Sequence, residues 1–153
     1  MVQWEISDGE VDYNTAVEKM DNYVQKIISG EADEKIWLLE HPSLYTAGTS
    51  ANIKDLVEPN RFPVFKTKRG GQYTYHGPGQ LVLYPIIDLE NFFTDIHKYL
   101  RLLEKSVIDT LKKINIRASI SSNRTGVWLD VGKYNERKIC AMGIKVSRWV
   151  TMH

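Results

Sequence analysis

From Tyr13 onward, apolar side chains recur every three or four positions: Ala16, Val17, Met20, Tyr23, Val24, Ile27 and Ile28. That spacing predicts an amphipathic helix closing near Gly30, with Asp12 as its N-cap. A second stripe of the same period, Ile96, Leu100, Leu103, Val107, Leu111 and Ile114, predicts another long helix, for which Thr94 is the candidate cap. The segments between and after them read differently. "KIWLLE" and "LVLYPII" are short apolar runs of strand length, whereas "HPSLYTAGTSANI" carries the Pro, Gly, Ser and Asn punctuation of a long loop. "RASISS", "TGVWLD" and "KICAMGIKV" are three further strand candidates separated by polar or glycine-containing turns. No repeat, low-complexity tract or linker interrupts the order. The pattern therefore predicts one α+β domain over residues 1–153, with a mixed or mostly antiparallel sheet packed with two long helices.

Length supports that picture, because 153 residues suffice for one core of ordinary size. The apolar fraction of 42% and charged fraction of 25% are those of a soluble globular chain, and no apolar run approaches the length of a membrane span. The acidic start "MVQWEISDGE" lacks the basic and apolar pattern of a secretory signal, and a single cysteine permits no internal disulfide; both point to the cytoplasm. A formal charge of +1 is far from the basic excess of nucleic-acid binders. Locally, Lys66, Lys68 and Arg69 cluster just before a run of glycines. They form either a solvated basic rim or an attraction for an anionic partner.

That run, "KRGGQYTYHGPGQLVLYP" from Lys68 to Pro85, holds more glycine, proline, tyrosine and histidine than a surface turn needs. Gly70 and Gly71 allow close backbone approach, and Gly77, Pro78 and Gly79 form a second tight turn. With "QYTY" extended, Tyr73 and Tyr75 share one face, and Gln72, Thr74 and His76 the other. Such a strand could wall a binding site; it could equally be a glycine-rich hairpin with a satisfied histidine. The stretch fits neither the dinucleotide nor the P-loop fingerprint, and it precedes a strand where those follow one. No G-x-S-x-G element supports a serine hydrolase. His41, His76, His97 and His153 are far apart in sequence without zinc-like spacing, and His97 reads as a helix-surface residue. In "RKICAMGIK", Lys138 and Cys140 would point to one side of a strand with Cα atoms about 7 Å apart. The ammonium could activate the thiol. The reading preferred from the residues is a small inert cysteine in a core slot beside Ile139, Ala141 and Ile144.

"RGGQYTYHGPGQLVLYPIIDL" resembles the signature block of the octanoyltransferases of lipoate biosynthesis, also called the lipoate-protein ligase B family. "VDYNTAVEKM", "WLLEHPSLYTAGTSAN", "TGVWLD" and "RKICAMGIK" extend the likeness along essentially the whole chain, in the family's order. The resemblance implies a fold similar to the catalytic domain of biotin and lipoate protein ligases. It implies transfer of an octanoyl group from octanoyl-acyl carrier protein to a lysine of the lipoyl domains of 2-oxoacid dehydrogenases and of the glycine-cleavage H protein. No nucleotide, metal or other cofactor is expected, nor nucleic acid or membrane, and the expected state is a monomer. The family's mechanism carries the acyl chain on a cysteine supported by a lysine, which Lys138 matches. Arg69, Gly70, Gly71, Gln72, Tyr73, Thr74, Tyr75 and His76 match the loop lining the acyl pocket, and Ala141, Met142 and Gly143 a second substrate-contacting turn. Lys66, Lys68 and Arg69 are the candidates to meet the acidic carrier. The family's nucleophilic cysteine lies C-terminal to the pair that is Met152 and His153 here. The expectation is therefore that the catalytic domain lacks the family's C-terminal segment, that Cys140 is not the nucleophile, and that these 153 residues alone are inactive. Two other readings stand beside it: a non-catalytic module binding acyl chains or carrier protein, and an ATP-using ligase suggested by fold alone.

Overall fold

A computed structural model describes residues 2–122, 124–130, 132 and 134–153. In chain order its main elements are β1 (Gln3–Glu10), α1 (Tyr13–Ile28), β2 (Lys35–Glu40), β3 (Leu44–Ala47), β4 (Val64–Lys66), β5 (Tyr73–His76), β6 (Val82–Ile86), α2 (Ile96–Lys113), β7 (Ser119–Ser121), β8 (Arg124–Leu129), β9 (Arg137–Cys140), β10 (Lys145–Ser147) and β11 (Val150–Met152). They form two compact units: one runs to Phe93 and resumes at Gly143, and the other is Thr94–Met142.

In the first unit, α1 starts where Asp12 accepts a hydrogen bond from the Thr15 amide at 3.0 Å, as its N-cap position predicts, and it stops before Gly30 at φ +75°. The predicted stripe is the buried one: Ala16, Met20, Val24 and Ile27 pack with Trp37, Leu39, Val82, Tyr84, Ile86, Val150 and Met152. Those partners come from a sheet ordered β1-β2-β6, with β1 parallel and β6 antiparallel to β2, and from β11, whose three residues are all buried. A second sheet, β4-β3-β5, pairs β3 in parallel with β4 and antiparallel with β5. β10 and β11 form a hairpin.

Three expectations are corrected here. "HPSLYTAGTSANI" is not all loop, because Leu44 and Thr46 turn inward and make Leu44–Ala47 a central strand. "KICAMGIKV" is not one strand: β9 ends at Cys140, residues 141–144 are irregular, and β10 begins at Lys145. The opening residues, read only for charge, form β1, an edge strand whose Trp4 and Ile6 are 65% and 74% exposed.

In the second unit, β7, β8 and β9 make an antiparallel sheet beside α2. The helix cap is Asp95 rather than Thr94: the Asp95 carboxylate accepts from the Lys98 amide at 3.0 Å, the geometry a cap requires. The predicted stripe of α2 is only partly covered, with Ile114 63% exposed, while its most buried side chains are Tyr99 and Glu104. His97 is exposed on the helix surface as expected.

Candidate functional site

The glycine-rich loop is clasped by backbone on two sides. Thr49 and Ser50 donate their amides to the carbonyls of Arg69 and Gly71 at 3.0 Å, and the Gly70 amide donates to Ile144 at 3.2 Å. A Cβ on Gly48 would come within 2.3 Å of the Gly71 carbonyl oxygen, and one on Gly143 within 2.9 Å of that of Gly70. Glycine is thus required on the segments that grip the loop as well as in it, where Gly71 sits at φ +92°.

Arg69 pins this arrangement. Its guanidinium is buried and donates to the carbonyls of Gly70 (2.8 Å), Thr46 (3.0 Å) and Gln72 (3.1 Å) and to the Thr46 hydroxyl (2.6 Å). Burial holds its pKa below the ordinary arginine value. The basic cluster of the sequence therefore splits: Lys66 and Lys68 are exposed, and Arg69 points inward, so it forms no part of a solvated rim.

The register of β3 and β5 sets the two faces of "QYTYH". Leu44 opposes His76 and Thr46 opposes Thr74, so His76 lies on the inward face with Thr46. The Thr46 hydroxyl, which accepts from Arg69, lies 3.3 Å from His76 Nε2, and His76 Nδ1 is buried. Tyr75 lies on the other face, packed on Tyr45 and Phe62 with ring centroids 6.0 and 5.5 Å away.

Behind His76 the fold gathers groups that sequence separation disguises. His41 is fully buried; its ring centroid is 5.7 Å from His76, 5.9 Å from Tyr84 and 5.4 Å from Tyr13. His153 stands 5.6 Å from Tyr84 and 6.0 Å from Tyr13. Burial dominates every titration here: it lowers His41, brings His76 and His153 down to about 4, and pushes Tyr13 up to about 12 and Tyr84 higher still. At neutral pH these rings are uncharged. A signal for His41 was present: it continues the inward alternation Trp37, Leu39, His41, as Tyr84 continues Val82 and Ile86. His153 offered none. Among the described residues no group of three or more His, Cys, Asp or Glu is arranged to hold a metal ion.

Of the sequence-derived residues, Arg69 to His76 and Gly143 belong to the first unit, and Lys138, Ala141 and Met142 to the second. There, Lys138 opposes Trp128 across β8 and β9, and its ammonium lies 4.7 Å from the Trp128 ring centroid. Burial, followed by repulsion from Arg124, lowers the Lys138 pKa. Cys140 is half-buried, and burial pushes its thiol up despite Lys138, so it is held away from thiolate. The core slot expected for it is not formed by its neighbours, since Ile139 is 40% exposed and Ala141 is also exposed where the strand ends. Glu104, missed in the sequence, is 2% exposed and accepts from the Gly126 amide at 3.0 Å while pairing with Arg101.

Residues 12–153 match the lipoyl protein ligase A/B catalytic domain. The chain is 51% identical to an octanoyltransferase of Agrobacterium fabrum over 99% of its own length and 60% of that protein's. It is 49% identical to an octanoyltransferase of Paramagnetospirillum magneticum, over 99% and 72%. The chain thus spans about 60% of the first of these relatives. Its fold is similar to a bipartite lipoate protein ligase of Thermoplasma acidophilum, with TM-score 0.69, 17% identity, and coverage of 99% of this chain and 59% of that one. It is also similar to a lipoate-protein ligase A bound with ATP, with TM-score 0.65, 15% identity, and coverage of 98% and 64%. With the family profile covering all but the first eleven residues, and half of the positions shared with curated relatives, this chain belongs to the lipoyl protein ligase A/B catalytic domain family.

Proposed function

We propose that the protein is an octanoyltransferase of lipoate biosynthesis, moving octanoyl from octanoyl-acyl carrier protein to a lysine of lipoyl domains, those of 2-oxoacid dehydrogenases and of the glycine-cleavage H protein. The observation that carries this reading is identity of about one half, along 99% of the chain, with proteins named octanoyltransferase. A cysteine thiolate attacks the octanoyl thioester and the carrier's thiol leaves. The acceptor amine then attacks the acyl-cysteine, gives a proton to Lys138 and expels the thiolate. The lowered pKa of Lys138 supports its role, because an amine nearer neutrality is a better proton acceptor. The raised pKa of Cys140 argues against it as the nucleophile, in keeping with the family's cysteine lying C-terminal to Met152 and His153.

In this reading Arg69 to His76 line the acyl chain, and Ala141, Met142 and Gly143 make the second substrate contact. Arg69 acts by shaping the loop, with its guanidinium spent on carbonyls and Thr46. Lys66 and Lys68, both exposed, are the charges available to an acidic carrier. Among the described residues no helix is long and apolar enough to cross a membrane. A cytoplasmic monomer is part of the same proposal, resting on the sequence and the family resemblance. The test is intact-mass analysis of a lipoyl domain incubated with the whole gene product and octanoyl-acyl carrier protein, without ATP. Octanoylation of the acceptor is expected. Modification only with free octanoate or lipoate and ATP would make the protein a ligase.

A further inference from the structure

We propose that Trp128 is a positioning residue for Lys138, its ring face holding the ammonium where the proton is taken. This rests on the reading of Lys138 as proton acceptor, and it comes from three independent contacts in the second unit. First, Trp128 and Lys138 are direct cross-strand partners, and Lys138 Nζ lies 4.7 Å from the ring centroid, within cation–π range. Second, the lysine stem lies over Gly126. A Cβ there would stand 3.4 Å from Lys138 Cε, 3.5 Å from its Cδ and 2.5 Å from the Cys140 carbonyl oxygen, and φ of +108° also demands glycine. Third, the Arg124 guanidinium carbon lies 3.9 Å from the same ring while Arg124 is ion-paired with Glu136, so a fixed cation shares the ring with Lys138.

The parts act in opposite senses. The ring's negative face attracts the ammonium and orders a side chain that would otherwise sample many rotamers. Arg124 repels it, favouring the free amine. Trp128 thereby fixes where the amine is, and Arg124 makes it readier to accept a proton. Gly126 supplies the room for the stem. All three belong to β8, so one strand builds the seat of a residue on the next.

The experiment reads Lys138 directly. The protein is acetylated with a small activated ester at a series of pH values, and the rate at Lys138 is followed by peptide mass. Trp128→Leu keeps an apolar neighbour but no ring face, so Lys138 should acetylate about threefold faster at fixed pH below its midpoint, the scale of one cation–π contact. Trp128→Phe should restore the wild-type rate, and Arg124→Gln should slow it. In the transfer assay with the whole gene product, Trp128→Leu should lose about tenfold in kcat with KM for the acyl donor unchanged, and Trp128→Phe should retain most of it. Equal acetylation of wild type, Leu and Phe variants overturns the proposal. If Trp128→Leu fails to fold, the Phe and Arg124→Gln variants still carry the test, and unchanged acetylation in Arg124→Gln counts against it. Acetylation as expected from a protein that transfers no octanoyl would support the seat while removing the function proposed above.

Discussion

His41 and Tyr84 share a 2.8 Å hydrogen bond in the core, and the opposite edge of the imidazole sets its direction. His41 Nδ1 faces the Val11 carbonyl at 2.6 Å, so it must donate there, and Nε2 must accept from the Tyr84 hydroxyl. Tyr84→Phe would leave Nε2 without its donor in a fully buried ring. A cost of about 1–3 kcal/mol follows, or roughly 2–10 °C in Tm, measured by thermal unfolding. An unchanged Tm would mean that the bond is made equally well by something else.

The buried rings predict acid sensitivity. His76 and His153 have folded pKa values of about 4 against 6.5 for an ordinary histidine, and His41 is lowered as well. The unfolded chain therefore binds more protons between these values. Their stabilisation is whole above pH 6.5 and is lost progressively as pH falls toward 4. Tm should drop from pH 7 to pH 5, above the range where carboxylates titrate, and His153→Asn should reduce the drop. A flat profile over that interval would contradict the burial of the rings.

Arg69→Lys keeps a positive charge and loses the fork. One ammonium cannot reach Thr46, Gly70 and Gln72 together, so buried acceptors are left unmatched. Stability should fall by about 2 kcal/mol or more, measured by urea unfolding. Equal stability would show the guanidinium to be dispensable to the loop.

Lys138→Arg separates charge from proton transfer. Guanidinium stays protonated at working pH, so the acyl-cysteine should still form in the whole gene product and accumulate, while transfer to the lipoyl domain drops roughly 100-fold. Intact mass reads the adduct and a transfer assay reads the second step. Wild-type transfer in the variant would deny Lys138 a role as base.

Gly126→Ala should be poorly tolerated, because its φ is +108° and the new methyl would meet the Cys140 carbonyl at 2.5 Å. The β8–β9 pairing would have to open. Loss of amide-exchange protection confined to β8 and β9 is the expected result. Uniform protection in wild type and variant would refute it.

Local chemistry alone determined much of this protein. The three-and-four spacing from Ala16 to Ile27 defined α1 and its buried face, Asp12 and Gly30 its ends, and the apolar run of "KIWLLE" its central strand, because each depends on near neighbours. The long "RGGQYTYHGPGQ" block likewise marked the region of interest and the family. Tertiary structure decided what spacing cannot encode. It put Glu104 at the buried centre of a helix whose apolar stripe is half open, because the Gly126 amide needs an acceptor there. It turned Arg69 inward while Lys66 and Lys68 face water, because Thr46 and the loop carbonyls offer oxygens only from inside. It gathered His41 and His153 around Tyr13 and Tyr84, with His76 against His41, from opposite ends of the chain. Contacts between residues dozens of positions apart depend on strand register and packing, and these are properties of the assembled core rather than of any one segment.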